Sequence, residues 1–231
     1  GGTGTLLYQW YSNATDNTTG GTLIAGATNS TYSPPTATVG TLYYYCIVTT
    51  AASGCSVTSA TGAVVVNPAP IFTTQPASST VCVGGTTTQM CVNYTDGTGT
   101  PSYQWYSNAA NNTTVGTLIT GATSSCFTPP AALAGTTYYF AIITLTGGGC
   151  SSITSNTAEV VINSNTSLST QPTPTQTICV GGTILTPLNV TYTGGVGTPT
   201  YQWFDSASNN PIFGATSSNY TPPVFANPGT S

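Results

Sequence analysis

The chain has 231 residues with no Lys, Arg or His, and its four acidic residues give a formal net charge of −4. Since nucleic-acid and anionic-lipid binding depend on Lys and Arg, this composition excludes both kinds of partner. It also excludes Ser-His-Asp, Cys-His and Schiff-base lysine catalysis. No apolar run approaches the roughly 18 residues of a membrane helix. Strand and turn formers dominate over helix formers, so we predict an all-β protein.

One short stretch, Tyr-Gln-Trp, occurs three times and contains all the tryptophans. The distances between successive tryptophans are 105 − 10 = 95 and 203 − 105 = 98 residues. A period near 95 fits one small β-sandwich domain with one buried tryptophan. We therefore predict tandem immunoglobulin-like β-sandwiches that form an extended rod, with one core tryptophan each: Trp10, Trp105 and Trp203.

The first segment, residues 1–67, has fewer predicted strands than a complete sandwich. Apolar and aromatic residues alternate around Trp10, which predicts a strand with Tyr11 on its opposite face. Four further strands are predicted over residues 22–24, 31–33, 41–49 and 62–67. Because a complete immunoglobulin-type sandwich has about seven strands, we interpret this segment as a partial repeat that lacks its first strands.

The second segment, residues 68–163, has enough strands for a complete repeat. It begins within a short proline-containing linker, Asn67-Pro68-Ala69-Pro70, which we expect to be semi-rigid. Its seven predicted strands cover residues 71–83, 90–94, 103–106, 117–119, 125–127, 137–144 and 158–162.

The third segment, residues 164–231, repeats the beginning of the second. Ile178-Cys179-Val180-Gly181-Gly182 matches Val81-Cys82-Val83-Gly84-Gly85, but counterparts of the last two strands are missing. A sandwich without two of its strands exposes its core and unpaired edges and is not stable alone. We therefore interpret the chain as a piece of a longer tandem array.

The seven cysteines predict disulfides rather than a metal site, because the chain has no His and no Cys-x-x-Cys. A bond between Cys82 and Cys150 would join the start of the second repeat to its last turn. Cys91 lies where an immunoglobulin domain carries its first core cysteine, and we pair it with Cys126 on a neighbouring strand. Three cysteines then require partners outside the chain: Cys46 and Cys55 upstream, and Cys179 downstream. Disulfides indicate an oxidising, extracellular setting.

Aromatic side chains are the candidates for ligand binding, since Trp and Tyr rings hold sugars by stacking. We weigh the tryptophans as core residues and assign possible glycan contacts to four tyrosines: Tyr11, Tyr44, Tyr106 and Tyr139. The scattered acidic residues we interpret as solvent-facing turn residues, with no catalytic site, cofactor or metal.

Five motifs together resemble the immunoglobulin-like repeats of very large surface proteins of Bacteroidota, the flavobacteria and their relatives. These repeats include the gliding-motility adhesins exported by the type IX secretion system. The motifs are Val-Cys-Val-Gly-Gly (81–85), Tyr-Gln-Trp-Tyr-Ser-Asn (103–108), Gly-Ala-Thr-x-Ser-x-Phe-x-Pro-Pro (121–130), Gly-Thr-x-Tyr-Tyr (135–139) and Gly-Cys-Ser (149–151).

The resemblance implies a secreted stalk or filament at the cell surface, attached to the outer membrane, with disulfides between the Cys-Val-Gly-Gly and Gly-Cys-Ser motifs. We expect its partners to be neighbouring repeats of the same long chain, surface polysaccharide, or the secretion and motility machinery. Two alternatives are a glycan-binding module that uses exposed tyrosines, and spacer repeats of a secreted enzyme.

Overall fold

A computed structural model describes residues 4–184 and 186–223. The outer ends of the first and third predicted repeats, residues 1–3 and 224–231, lie outside this part of the chain, as does residue 185. The described residues form 21 strands and no helix. They therefore contain no helix that is long and apolar enough to cross a bilayer.

The first segment forms one antiparallel sheet, in which two long neighbouring strands pair with three shorter ones. Its strands are β1 (Leu6–Asn13), β2 (Thr22–Leu23), β3 (Gly40–Thr50), β4 (Ser56–Thr58) and β5 (Gly62–Val66). Their order is β2-β1-β3-β4, and β5 pairs with the other half of β3; every pairing is antiparallel.

The second segment contains ten strands. They are β6 (Ile71–Thr74), β7 (Ser79–Cys82), β8 (Met90–Cys91), β9 (Asn93–Thr95), β10 (Gly99–Asn108), β11 (Thr117–Leu118), β12 (Cys126–Phe127), β13 (Gly135–Gly147), β14 (Ile153–Thr154) and β15 (Ala158–Asn163). One layer has the order β11-β10-β13-β15-β7, with β14 also on β13. The pairing of β15 with β7 is parallel.

The second layer of this segment is made by β6 with β9 and β8 with β12. Apolar side chains from both layers meet between them, because alternate residues of each strand point inward. The core is centred on Met90 and Val92 from one layer and on Trp105, Ile143 and Val160 from the other, each 0–1% exposed. Two layers with this strand order are an immunoglobulin-like β-sandwich.

The third segment forms three short two-stranded sheets. Its strands are β16 (Ser167–Thr170), β17 (Leu188–Asn189), β18 (Thr191–Thr193), β19 (Phe204–Asp205), β20 (Asn210–Pro211) and β21 (Asn219–Tyr220). β16 pairs with β18, β17 with β21, and β19 with β20. The first two pairs match β6 with β9 and β8 with β12, so the chain repeats the sandwich pattern in tandem.

Three predicted strands differ from the structure. Residues 90–94 form two strands, β8 and β9, because the first pairs with β12 and the second with β6. Residues 71–83 form two strands instead of one, because β6 belongs to one layer and β7 crosses to the other, with Pro76 buried between them. Residues 31–33 do not form a strand. Their counterpart β12 is a strand through its pairing with β8, and no described strand of the first segment corresponds to β8.

A pair of hydrogen bonds from a glutamine side chain recurs in all three segments. The pattern of apolar residues in the sequence does not predict it. The Nε2 group of Gln104 donates to the carbonyl oxygens of Trp105 and Ile119, both at 2.9 Å. Gln9 and Gln202 make the same two bonds at 2.8–3.0 Å. The side chain thus joins the tryptophan strand to the segment that follows it.

We expect Gln104→Ala to lower the free energy of unfolding by about 1–2 kcal/mol, since two partly buried hydrogen bonds are lost. Gln89→Ala is the matched control, because Gln89 is exposed and outside the core; it should change stability by less than about 0.5 kcal/mol. Urea unfolding of the two variants measures the difference. Equal stabilities would show that the glutamine bonds contribute nothing.

Candidate functional site

The tryptophan of the second segment is a core residue and is not available to a ligand. Trp105 is 0% exposed, and its indole Nε1 donates to the carbonyl oxygen of Ser124 at 2.9 Å. Its ring packs against Phe127 with 5.8 Å between the ring centroids. Burial of the ring together with a partner for its one polar atom is the arrangement expected of a structural tryptophan.

The same arrangement recurs at the other two tryptophans, which are half-buried. Trp10 donates to the carbonyl oxygen of Asn29, and Trp203 donates to that of Ser217, each at 2.9 Å. Each ring also contacts one tyrosine ring, at centroid distances of 6.0 and 5.7 Å. The three tryptophans therefore occupy equivalent structural positions.

Two of the four proposed glycan-contacting tyrosines are buried. Tyr44 is 7% exposed and Tyr139 is 6% exposed, so neither offers a ring face to a sugar. The alternation along β3 and β13 explains this result, since both side chains point toward the same side as the core tryptophans. Burial also raises the pKa of both phenols.

The other two tyrosines lie on the outer face of the tryptophan-bearing sheet. Tyr106 stacks on Phe140 with 5.2 Å between centroids and an interplanar angle of 10°. Tyr11 stacks on Tyr45 at 5.3 Å and 7°. Each stack joins residues that lie directly opposite each other on paired strands, a geometry that stabilises a sheet. In each stack the tyrosine on the tryptophan strand, Tyr106 or Tyr11, remains half-exposed.

A polar loop covers Phe140, the stacking partner of Tyr106. Asn108 at the end of β10 donates through Nδ2 to the backbone and side-chain oxygens of Asn112 at 3.0 and 2.9 Å. The loop then reaches Gly116, where a Cβ would lie 2.6 Å from Cζ of Phe140. Phe140 is consequently only 1% exposed although it points away from the core. This leaves Tyr106 as the accessible ring of the outer face.

The acidic residues lie apart from one another, in different local environments. Asp16 accepts a hydrogen bond from Thr61, and Glu159 accepts one from the phenol of Tyr138 at 2.9 Å, which raises the pKa of that phenol. Asp96 occupies a turn with φ 59°. None of these arrangements brings two carboxylates together for acid-base chemistry.

Asp205 closes its own turn. Its carboxylate accepts bonds from the backbone N–H of Ala207 at 2.9 Å and the hydroxyl of Ser208 at 2.8 Å. The bond from Ala207 is the main reason that the pKa of this carboxyl is lowered, since hydrogen bonds stabilise the charged form. The group has a local structural role.

The disulfide predicted between Cys91 and Cys126 is present, with a Cα–Cα distance of 4.1 Å. The two residues lie directly opposite each other on β8 and β12. Its position differs from the core cysteine of an immunoglobulin domain, because the neighbours Met90 and Val92 point inward and are fully buried. Cys91 therefore points outward, and the bond joins two strands of one layer.

The predicted bond between Cys82 and Cys150 is not formed, and both residues are free thiols. Cys82 lies opposite Asn163, near the Gly135 end of β13, whereas Cys150 follows the Gly147 end. Twelve residues of strand separate these ends by roughly 40 Å, and disulfides require Cα atoms within about 7 Å. The two cysteines are at opposite ends of the sandwich.

The remaining three cysteines, for which partners outside the chain were expected, are free thiols in different environments. Cys46 is 4% exposed and lies opposite Trp10, at the position that Ala141 takes in the second segment. Cys55 and Cys179 are exposed.

Comparison with known sequences gives one family match. The family described as Domain of unknown function (DUF8696) matches residues 72–164, which corresponds closely to the second segment. No curated protein matches the chain in sequence.

Solved structures that resemble the chain are tandem immunoglobulin domains. Sidekick-1 immunoglobulin domains 1–5 are 16% identical over 94% of this chain and 49% of that one, with a TM-score of 0.41. The titin domains I67–I69 are 13% identical over 92% of this chain and 72% of that one, with a TM-score of 0.48. Extracellular domains 3–5 of Drosophila OTK are 16% identical over 82% of this chain and 63% of that one, with a TM-score of 0.36. The chain thus spans about half the length of the Sidekick-1 structure, and its assignment to the immunoglobulin-like fold rests on its own strand order and core.

Proposed function

We propose that the chain is a structural repeat region of a long secreted cell-surface adhesin or filament, where it acts as a stalk or fibre for surface attachment or gliding. The observation that carries this proposal is a contact that recurs at the start of the second and third segments. The backbone N–H of Gly97 donates to the carbonyl oxygen of Pro68 at 3.1 Å, and that of Gly195 donates to Ser164 at 2.9 Å. Repetition of the same contact suits a regular array.

The first of these junctions has further bonds that limit its motion. The side chain of Asn67 donates from Nδ2 to the carbonyl oxygen of Gly148 at 2.9 Å. Gly97 adopts φ +71°, and a Cβ there would lie 2.6 Å from Leu145 and 3.0 Å from Pro70. The linker is thus packed on the second sandwich instead of being a free tether, which favours a stiff rod.

We propose repeat boundaries at residues 1–67, 68–163 and 164–231, with the first and last as partial repeats. The support for these boundaries is that each strand pairing in the described part of the chain joins strands of one segment. In a tandem array, neighbouring repeats are then the main partners of each repeat.

An extracellular location agrees with the Cys91–Cys126 disulfide, since such bonds persist in oxidising compartments. The absence of Lys and Arg also removes every trypsin cleavage site, which suits an exposed fibre. Attachment to the outer membrane, gliding and export by the type IX system are supported by the sequence motifs alone. A catalytic role is not part of the proposal, and spacer repeats of a secreted enzyme would have the same architecture.

Glycan binding is a second candidate function, favoured by the flat, half-exposed ring of Tyr106 on the outer face. If surface polysaccharide is a ligand, the chain binds a glycan array, Tyr106→Ala abolishes binding, and Tyr106→Phe retains it because the stacking face is kept. Circular dichroism of the variants checks their fold. Absence of binding by the unmodified chain would reject this candidate.

The array proposal predicts an elongated, stiff particle in solution. A compact chain of this length has a radius of gyration of about 17 Å, and small-angle X-ray scattering should give a clearly larger value. A value near 17 Å would contradict the proposal.

Gly97→Ala should loosen the first junction, because the added Cβ meets Leu145 and Pro70. Overpacking of this kind costs about 1–3 kcal/mol, and the scattering curve should indicate greater flexibility. Gly121→Ala is the matched control, since Gly121 has φ +80° and nothing within 4 Å of its Cβ position. Identical scattering from the two variants would show that the docked linker does not stiffen the chain.

The Cys91–Cys126 bond should stabilise the second repeat. For its sequence separation of 35, loop closure predicts a loss of about 4 kcal/mol in the double Cys→Ala variant. The control is a double Cys→Ser variant at Cys82 and Cys150, which should unfold in urea like the unmodified chain. A similar loss in the control would mean that the free thiols of the structure are bonded in solution.

A further inference from the structure

Two exposed or half-exposed cysteines lie at opposite ends of the second repeat, and each recurs once elsewhere in the chain. Cys82 corresponds to Cys179 in the third segment, and Cys150 corresponds to Cys55 in the first. An intra-repeat bond is excluded by their separation. Each cysteine instead lies beside a junction between repeats.

The two junctions can be superimposed through their strand registers. Val66 lies opposite Gly40 on β3, and Ile162 lies opposite Gly135 on β13, so Asn67 and Asn163 are equivalent. The recurring bonds of Gly97 and Gly195 to the linker carbonyl support the same superposition.

At the first junction, the cysteine of the following repeat contacts the linker. Sγ of Cys150 is 3.5 Å from the carbonyl oxygen of Pro68, and the Asn67 side chain bonds to Gly148 two residues earlier. The loop that carries Cys150 therefore packs directly on the Asn67-Pro68 linker, where the preceding repeat ends at Asn67.

At the second junction, the cysteine of the preceding repeat lies beside the same position. Cys82 is directly opposite Asn163 on parallel strands, which run about 4.8 Å apart. The pair alternates with the inward-facing pair Ile162 and Val81, so Cys82 and Asn163 share the outward face. Cys82 is exposed there.

We propose that Cys82 of one repeat forms a disulfide with the Cys150 equivalent of the next repeat, an inference that rests on the tandem array proposed above. Superposition brings both cysteines to one Asn-Pro or Asn-Ser linker, from neighbouring repeats. Cys55 and Cys179 take the same two roles at the adjoining junctions.

The first junction also has room for such a bond. A cleft of about 340 Å³ lies between the two repeats, bounded by Val65, Val66 and Asn67 on one side and by Gly148 and Cys150 on the other. In the described part of the chain, β5 pairs with β3 alone. The other edge of β5 corresponds to the edge of β15 that binds the cysteine-bearing strand β7.

The reaction is a thiol-disulfide exchange with a small-molecule or protein disulfide oxidant, such as oxidised glutathione. The two cysteine thiols lose two protons and two electrons and form one S–S bond. The oxidant accepts both and leaves as two thiols, so atoms and electrons balance.

The proposed bonds would make the array resist extension. Only 179 − 150 = 29 residues separate Cys150 from Cys179, whereas one repeat has 163 − 67 = 96 residues. Because each bond runs from the start of one repeat to the end of the next, the shortest covalent path through a fully oxidised array contains 29 residues for every two repeats, which limits their extended length to roughly 100 Å. Two repeats without these bonds can extend to roughly 660 Å.

The test is a chain in which the complete repeat is duplicated, residues 1–163 followed by residues 68–231, refolded with oxidised and reduced glutathione. The new junction, Asn163-Pro68, reproduces the native Asn67-Pro68 sequence. Chymotryptic peptides, mapped by mass spectrometry without reduction, should contain one Cys82–Cys150 cross-link. Cys82→Ser in the first copy should abolish it, and Cys82→Ser in the second copy should leave it unchanged.

The Cys91–Cys126 cross-link in both copies serves as the internal control for folding, and the original 231-residue chain should show Cys82 and Cys150 alkylated. Free thiols in the duplicated chain, or a cross-link within one copy, would overturn the inference. Small-angle scattering of the same sample separates the two proposals: an elongated particle with free thiols rejects the disulfide alone, and a compact particle rejects the array.

Discussion

The pairing of β10 with β13 is the constraint on which the second sandwich depends. Its register places Trp105 opposite Ala141, so the largest side chain of the core faces one of the smallest. In the first segment Trp10 faces Cys46 in the same way. The space above the small residue is filled by the indole ring, which is then covered by Phe127 or Tyr32. Close packing of this kind requires complementary volumes on paired strands.

Because the chain has almost no charged residues, hydrogen bonds from neutral polar side chains join its loops and strands. Glutamine and asparagine side chains do this repeatedly: Gln104 joins the tryptophan strand to its neighbour, Asn108 organises a loop, and Asn67 joins two repeats. Such bonds are not screened by salt as ion pairs are. A β-sandwich built in this way keeps its internal contacts across a wide range of ionic strength.

The junctions connect the fold to the proposed role. A linker that is hydrogen-bonded to the following sandwich transmits orientation from one repeat to the next, and a covalent bond across the same junction would transmit force as well. Both features use the ends of the sandwich, whereas the outer aromatic face with Tyr106 remains free for a ligand. Mechanical and binding roles are therefore compatible within one repeat.

The sequence by itself determined the all-β class, the repeat period and the tryptophan strand, because alternation and recurrence are local or periodic signals. It also determined the Cys91–Cys126 pair, because an immunoglobulin-like strand order places their two strands side by side. Only the tertiary structure decided that residues 71–83 divide between two layers, that Tyr44 and Tyr139 are buried, and that Cys82 and Cys150 are at opposite ends. These outcomes depend on which strands pair and in which direction, and strand pairing joins residues that are distant in sequence. A motif order along the chain contains no such information, so two cysteines that bracket a repeat in sequence belong to different junctions in space.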